Sequence, residues 1–318
     1  MTEITPREAM DDFLLSLKGD RERNTIIYYR SSLRQLVSWL EENAVTLPEF
    51  RGRHFDRYLA HRADSGTSKT TRYHASCCAR KFLEYCRRED FIASNPLHDR
   101  KFTKAPHKLE YVPTDAEIAK LLRAAQERRR VAFNANARYT CQTDRTYFER
   151  LDYAMILGYV ETGCRLSELC KLKRADVDFN ARTITFRDTK TDVERRIPVS
   201  DKWLDSVRKY LAVRPKKAAA ETLFVGIFGN PVQPGWMCDK IKDYARYAGI
   251  PHVTAQTVRR WRLTQLAHEN ILIASLVGGN SVAVIRRHYL KPDLDKMRQV
   301  MASTLTPEPS KTPRRKLV

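Results

Sequence analysis

The chain has 318 residues, enough for two domains with hydrophobic cores, and 42% of them are hydrophobic and 30% charged, which excludes an intrinsically disordered protein. The net charge of +20 favours a polyanion, most simply nucleic acid, as the partner, and a basic surface without such a partner is the alternative. No run approaches the roughly 18 apolar residues of a membrane helix, and the acidic start MTEITPREAMDD differs from a signal peptide.

Cysteine and histidine usage argues against a metal centre. The seven cysteines include no Cys-x-x-Cys pair, and the eight histidines show no paired ligand spacing. The sequence also contains no G-x-x-x-x-G-K-[ST] phosphate loop. We therefore expect reduced thiols in a cytoplasmic protein without a metal ion or another cofactor.

Apolar positions spaced three and four residues apart predict a helical first domain over residues 1–98. The fourth predicted helix should bury Tyr73, Cys77, Phe82, Tyr85 and Cys86. It also carries six basic residues against one acid, which suits tracking DNA phosphates, although a solvated charged face is the alternative. Asn95-Pro96 should end the domain, before a basic linker over 99–112. The predicted helices are 7–17, 25–43, 53–64 and 68–88.

The second domain is predicted to cover residues 113–304, ahead of a disordered basic tail at 305–318. Thr114 and Glu117 form a capping-box pattern at its first helix. Residues 131–146 show no clear pattern. Residues 182–199 read as a β-hairpin, with Lys190 at or near its tip. The other predicted helices are 147–162, 201–213, 236–248, 254–270 and 293–303.

The stretch from Thr254 to Tyr289 concentrates groups that suit a phosphate. Gln256 and Arg259 share a helix face near an N-terminus, where anions are favoured. A Gly-Gly-Asn break at 278–280 precedes a second basic group, Arg286-Arg287-His288-Tyr289. On its own, this pattern also fits a surface helix with solvated charges.

Residues 161–178, ETGCRLSELCKLKRADVD, lead into the hairpin with its TKT and RRIPV segments. This order resembles the tyrosine recombinase, or phage-type integrase, family over nearly the whole chain. The resemblance implies that Arg165 and Arg259 are catalytic arginines and that Glu168 supports Arg165. It also implies that Lys190 is the hairpin lysine and that Tyr289 is the nucleophile.

Two positions depart from that family's pattern. Gln256 and Asn280 stand where histidines, or in the second case sometimes tryptophan, are expected. Both amides can hydrogen-bond a phosphate oxygen, but neither exchanges a proton near pH 7. Loss of general acid–base help, typically worth about 10²–10⁴ in rate, would slow cleavage without abolishing it. His288 and His252 are candidates to supply the missing proton transfer.

The resemblance implies a site-specific DNA recombinase that cuts and rejoins strands through a covalent 3′-phosphotyrosyl intermediate. It implies a mainly α fold with a small β-sheet or hairpin, in which a helical core-binding domain and an α+β catalytic domain form a C-shaped clamp. The expected partner is double-stranded DNA, bound by a homotetramer on paired sites. In the absence of DNA we expect a monomer or weak dimer. We expect the protein to be cytoplasmic and to associate with the nucleoid when it is bound to DNA. The residues predicted to contact DNA are Lys69, Arg72, Arg80, Lys81, Arg87, Arg260, Arg286 and Arg287.

Two other functions are compatible with the same residues. The amides at Gln256 and Asn280 also fit a recombinase-derived protein that prefers certain DNA sequences but has lost cleavage. A type IB topoisomerase shares the chemistry, but the front half of the chain resembles a compact recombinase core-binding domain instead.

Overall fold

A computed structural model of the chain describes residues 4–104, 110–127, 142–187, 194–215, 221–289, 298 and 301–302. These residues belong to two compact units, Met1–Leu109 and Glu110–Val318. Among the helices of the described ranges, none is both long and apolar enough to cross a membrane. The predicted helix 293–303 lies outside these ranges except at residues 298, 301 and 302, and all of the tail 305–318 lies outside them.

The first unit is helical in its described part. Thr5 begins its first helix with a capping box, because its side chain accepts from the Glu8 amide while Glu8 accepts from the Thr5 amide. Ser68 caps the fourth helix through the Thr71 amide. The apolar faces of the four helices enclose one core that includes Leu36, Phe55 and Phe82. The helices are α1 (Pro6–Ser16), α2 (Arg23–Glu42), α3 (Gly52–Asp64) and α4 (Lys69–Arg88).

The buried face of α4 corrects part of the sequence prediction. Phe82 and Cys86 are buried as expected, whereas Tyr73, Cys77 and Tyr85 are only half-buried. The core stripe instead follows Cys78 and two small residues, Ala75 and Ala79. Small side chains allow α4 to approach its neighbours closely, and hydrophobicity alone does not reveal that preference.

The second unit surrounds a larger core that includes Met155, Trp203 and Phe224. Thr114 and Glu117 form the predicted capping box of its first helix. The predicted helix 147–162 begins earlier, at Gln142. The sequence prediction missed the short helix that starts directly after Arg165. The helices are α5 (Asp115–Gln126), α6 (Gln142–Thr162), α7 (Leu166–Lys171), α8 (Asp201–Leu211), α9 (Pro234–Tyr247), α10 (Ala255–Glu269), α11 (Ile271–Gly278) and α12 (Val282–His288).

A three-stranded antiparallel sheet lies beside α7 in the chain, in the order β1 (Val177–Asp178), β2 (Thr183–Phe186) and β3 (Arg195–Pro198). The register pairs Ile184 with Ile197 and Phe186 with Arg195. The predicted hairpin is thus extended by β1, and the mainly helical fold with a small sheet is confirmed. Residues 188–193, with Lys190, fall between β2 and β3 and lie outside the described ranges.

Candidate active site

Arg165 is the N-cap of α7, and Glu168 stands at the third helical position. A Glu168 oxygen accepts from the Arg165 backbone amide at 2.8 Å, and the other accepts from Nη1 of the same arginine at 2.9 Å. Nη2 of Arg165 donates to the Gly279 carbonyl at 2.9 Å. The helix start therefore fixes the guanidinium, while 27% of the side chain stays exposed.

Arg259 lies in the first turns of α10, which Thr254 caps as the sequence predicts. Its Nη1 donates to the Gly163 carbonyl at 2.5 Å, and its Nη2 donates to the Gly278 carbonyl at 2.9 Å. Both acceptors are backbone groups of loops or helix ends from other parts of the chain. They orient the guanidinium without cancelling its charge.

Asn280 joins the two arginines. Its Oδ1 accepts from Nη2 of Arg165 at 3.0 Å and from Nη2 of Arg259 at 3.0 Å. Because α11 ends in a left-handed residue, Gly279 with φ +61°, the chain turns sharply and brings Asn280 between the guanidiniums. The structure thus brings together three of the predicted catalytic residues.

Sequence reasoning missed a third arginine of this cluster, Arg195 on β3. Its Nη1 and Nη2 donate to the two oxygens of Glu168 at 3.1 and 2.5 Å, and its Nε donates to the Val277 carbonyl at 3.2 Å. The guanidinium also stacks 4.7 Å from the Phe186 ring centroid. The sequence pattern could have revealed this arginine. Arg195 stands two residues before the buried Ile197, so both side chains lie on the inner face of the strand.

Glu168 is held as a carboxylate between these arginines. Only 3% of its side chain is exposed, and burial by itself would raise its pKa. The hydrogen bonds and charge of Arg195, followed by the bonds from Arg165, outweigh burial and hold the pKa of Glu168 below its usual value. The carboxylate is therefore ionised at neutral pH and fixes both guanidiniums.

Tyr289 is the C-cap of α12 and is half-buried. Its ring packs on a small apolar cluster that includes Leu263 and Ile285. Among the residues that the structure describes, its hydroxyl has no hydrogen-bond partner. The ring is thus anchored, and no side chain or backbone group of the described ranges ties down the hydroxyl.

Neither Gln256 nor His288, the other predicted catalytic or supporting residues that the structure describes, makes a hydrogen bond to Asn280 or to the two arginines that it joins. Gln256 is exposed on α10 and makes no side-chain hydrogen bond within the described part of the chain. His288 is half-buried at the end of α12 and has an interaction partner. Lys190 lies outside the described ranges.

His252, the other candidate for proton transfer, belongs to a separate cluster. Its Nε2 lies 2.6 Å from Glu117 Oε1 and 3.1 Å from the Tyr111 hydroxyl. Bonds from the Thr114 amide, Tyr111 and His252 lower the pKa of Glu117 to about 2. His252 is therefore engaged by α5 and does not join the arginines.

The predicted DNA contacts divide into exposed and engaged side chains. Lys69, Lys81, Arg286 and Arg287 are exposed, and Lys81 lies 5.9 Å from the Tyr29 ring centroid. The other four have hydrogen-bond or ion-pair partners within the fold, although Arg87 is exposed as well. Arg260 is the clearest correction, because its side chain is 9% exposed, bonded to Glu110 and donating to the Tyr111 carbonyl at 2.9 Å. A buried, ion-paired arginine is not available to a phosphate in this conformation.

The other engaged arginines lie on α4. Arg80 donates to the Arg100 carbonyl at 2.7 Å and lies over the Phe102 ring, at 4.5 Å from its centroid. Arg72 donates to the Thr67 carbonyl, and Arg87 pairs with Glu84 at 2.8 Å. Arg80 therefore holds the end of the first unit, and Arg87 is a surface pair that could still exchange its partner for DNA.

Within the described ranges, no three His, Cys, Asp or Glu side chains cluster as metal ligands would. The Arg165, Arg259 and Asn280 side chains bring two guanidiniums and an amide together. Such groups can fork onto the oxygens of a phosphodiester and stabilise charge that develops on them.

Comparison with known proteins gives this arrangement a context. The profile of the phage integrase family matches residues 114–293, more than half of the chain, and its N-terminal SAM-like domain matches residues 10–90. Tyrosine recombinase XerC 2 of Ralstonia nicotianae is 28% identical over 71% of this chain, which spans only 64% of that relative. Tyrosine recombinase XerC of Corynebacterium efficiens is 25% identical, over 81% of this chain and 78% of its own length.

The fold is also similar to solved structures. A lambda integrase tetramer bound to a Holliday junction matches with a TM-score of 0.66 at 15% identity, covering 92% of this chain and 80% of the integrase chain. At this identity the likeness concerns the fold.

Proposed function

The chain belongs to the phage integrase family, and from this membership we propose that it is a site-specific DNA recombinase. It cuts and rejoins DNA strands through a covalent 3′-phosphotyrosyl intermediate. The observation that carries the proposal is the pair formed by Arg165 and Arg259, which one amide oxygen of Asn280 joins. Two guanidiniums held this close together suit a single phosphodiester.

Tyr289 is the proposed nucleophile. Its hydroxyl oxygen attacks the phosphorus and gives up its proton to solvent. The 5′-oxygen of the next nucleotide leaves and takes up a proton. The new tyrosine–phosphorus bond replaces the broken phosphodiester bond, so no external energy source is needed. A second strand's 5′-hydroxyl then reverses the step and releases Tyr289. Tyrosine has a solution pKa near 10, so this attack depends on a cationic surrounding.

Arg165 and Arg259 stabilise the five-coordinate transition state. Each arginine keeps N–H groups beyond those used by its internal acceptors, because a guanidinium carries five. Charge builds on the non-bridging oxygens as the tyrosine attacks, and donors fixed in advance stabilise that charge without reorganising. Lys190 is the proposed acid that protonates the leaving 5′-oxygen.

Asn280 and Gln256 differ in what they contribute to this proposal. Asn280 is positioned against both arginines and can donate from its Nδ2 to a phosphate oxygen. Gln256 is exposed on the same helix as Arg259 and would act only once DNA is bound. Neither amide titrates near neutral pH, so proton transfer must come from elsewhere.

We further propose that double-stranded DNA is bound by four copies of the chain on paired sites, and that the protein works in the cytoplasm at the nucleoid. A solved relative of this fold is a lambda integrase tetramer on a Holliday junction. Exposed basic side chains supply the phosphate contacts, namely Lys69 and Lys81 on α4 and Arg286 and Arg287 on α12.

The decisive experiment uses the protein's own site, selected from random duplexes, with a nick that lets the short fragment beyond the cleavage point diffuse away. Wild-type protein should then accumulate a covalent adduct, and Tyr289→Phe should give none while binding the duplex equally well. If wild type binds the site and forms no adduct, the protein binds DNA without cutting it.

A further inference from the structure

Arg195 has an almost fully buried side chain beside the candidate active site, and no proposed step uses it. Its side chain is 8% exposed, whereas that of Arg165 is 27% exposed. It takes both oxygens of Glu168, and Glu168 in turn bonds Arg165. Arg195 therefore acts on the phosphate-binding arginine only through a shared carboxylate.

The net charge of the cluster depends on the ion pair between Arg195 and Glu168. Arg165 and Arg195 both bond the Glu168 carboxylate, and Asn280 joins Arg165 to Arg259. Three positive charges and one negative charge therefore leave two positive charges in the hydrogen-bonded cluster. A phosphodiester carries one negative charge and gains more as tyrosine attacks, so two uncompensated charges match the transition state. Without Arg195, Glu168 would neutralise Arg165, and one positive charge would remain.

The groups packed around Arg195 hold its guanidinium in one place. A Cβ atom added to Gly279 would lie 2.6 Å from Nη1 of Arg195 and 3.2 Å from Nη1 of Arg165. The glycine at the end of α11 thus leaves room for both guanidiniums. The Phe186 ring and the Val277 carbonyl contact Arg195 from other sides.

We propose that Arg195 is a positioning residue that neutralises Glu168, so that the charge of Arg165 stays available to the scissile phosphate. The inference rests on the proposed recombinase function. Arg195 itself does not touch the DNA in this mechanism. Its effect on cleavage passes through Glu168 and Arg165.

Charge compensation tests the proposal. Arg195→Met removes the cation and leaves Glu168 charged, so adduct formation on the nicked duplex should slow by roughly 10- to 100-fold. This decrease is smaller than the one expected when a group that bonds the phosphate directly is removed. Adding Glu168→Gln to that variant restores two net charges and should recover most of the lost rate. Arg195→Lys keeps the charge without the fork and should lie between wild type and Arg195→Met.

Arg196 offers a matched control on the same strand. It is exposed on the opposite face and bonds Asp178 at 3.1 Å and Thr183 Oγ1 at 2.8 Å. Arg196→Met makes the same chemical change away from Glu168 and should leave the rate close to wild type. An equal loss in Arg196→Met would overturn the proposal, because the strand and not the charge would then matter.

The double variant is compared directly with wild type, so the test does not depend on the folding of Arg195→Met alone. A folded double variant that remains as slow as Arg195→Met, or that falls to the rate of Arg165→Met, contradicts charge compensation. A rate near that of wild type supports it.

A DNA-free measurement separates this inference from the proposed function. The affinity for inorganic phosphate, read from the shift in thermal midpoint, should weaken several-fold in Arg195→Met, weaken less in Arg195→Lys, and return in the double variant. If wild type forms no adduct at all, the recombinase proposal fails. The relative phosphate affinities of the variants then decide by themselves whether Arg195 protects the charge of Arg165. Identical phosphate affinities in all variants would contradict the proposal.

Discussion

At the residue scale, the Asn280 side chain has a defined orientation. Two guanidinium N–H groups point at the same atom, and an amide nitrogen has no lone pair to accept them. The atom must be Oδ1, which leaves Nδ2 without a partner among the described residues. Asn280 therefore combines an acceptor for the arginines with a spare donor for a phosphate.

A histidine at this position would behave differently with pH. A neutral imidazole nitrogen can accept from an arginine, but the protonated ring only donates. We expect the cleavage rate of Asn280→His, divided by the wild-type rate, to fall as pH drops from about 8 to 6. Single-turnover adduct formation across this range measures the ratio. A ratio independent of pH would show that position 280 does not need its acceptor.

Glu168 links the same cluster to stability. Its folded pKa is lowered, so its contribution is fully present above the unfolded pKa of about 4.3 and is lost as pH falls through the folded value. Glu168→Gln leaves the buried Arg195 without its ion-pair partner and should cost about 3–5 kcal/mol near pH 7. Urea unfolding at several pH values should show the loss shrinking toward acid. A constant loss would contradict the ion-pair account.

At the element scale, the helices were predictable because their caps and apolar stripes are local in sequence. Thr114, Thr254 and the hairpin strands stand where the sequence places them. Arg165, Arg259 and Asn280 were found through resemblance, but the hydrogen bond from Arg165 to Asn280 joins residues 115 positions apart. Local periodicity contains no information about such a contact.

Other parts of the fold escaped prediction for specific reasons. The strand β1 has two residues and α7 has six, too few for a period to show. Arg195 resembles a surface residue by type, and its burial depends on a carboxylate from α7. Arg260 was assigned to DNA because basic residues usually face solvent, whereas Glu110 compensates its burial.

The turn that ends α11 can be tested with glycine substitutions. Gly279→Ala combines a positive φ of +61° with a Cβ that would lie 2.6 Å from Arg195 Nη1. We expect it to lose more than the roughly 1–2 kcal/mol of left-handed strain and to slow adduct formation. Thermal midpoints and single-turnover rates provide the two measurements.

Gly249 is the control for this test, because it has φ +72° but nothing within 4 Å of an added Cβ. Gly249→Ala should cost the backbone strain alone and leave the cleavage rate unchanged. Equal rates in the two alanine variants would mean that the space beside the arginines does not matter.

At the scale of the whole molecule, the net charge of +20 should appear as strong salt dependence of DNA binding. The total alone does not identify the residues that meet DNA. Several arginines neutralise acids or hold backbone within the fold, as Arg80 and Arg260 do. Only cations without such partners add to the attraction of a phosphate backbone at little structural cost.

This distinction predicts two kinds of variant on α4. Lys69→Ala and Lys81→Ala remove exposed charges, so each should weaken binding of all duplexes and reduce the slope of log K against log salt by about 1. Arg80→Ala breaks the bond to the Arg100 carbonyl and the contact with Phe102. It should lower the thermal midpoint and leave the slope unchanged. Fluorescence anisotropy over a salt series tests both outcomes, and a smaller slope in Arg80→Ala with no loss of stability would place Arg80 on the DNA after all.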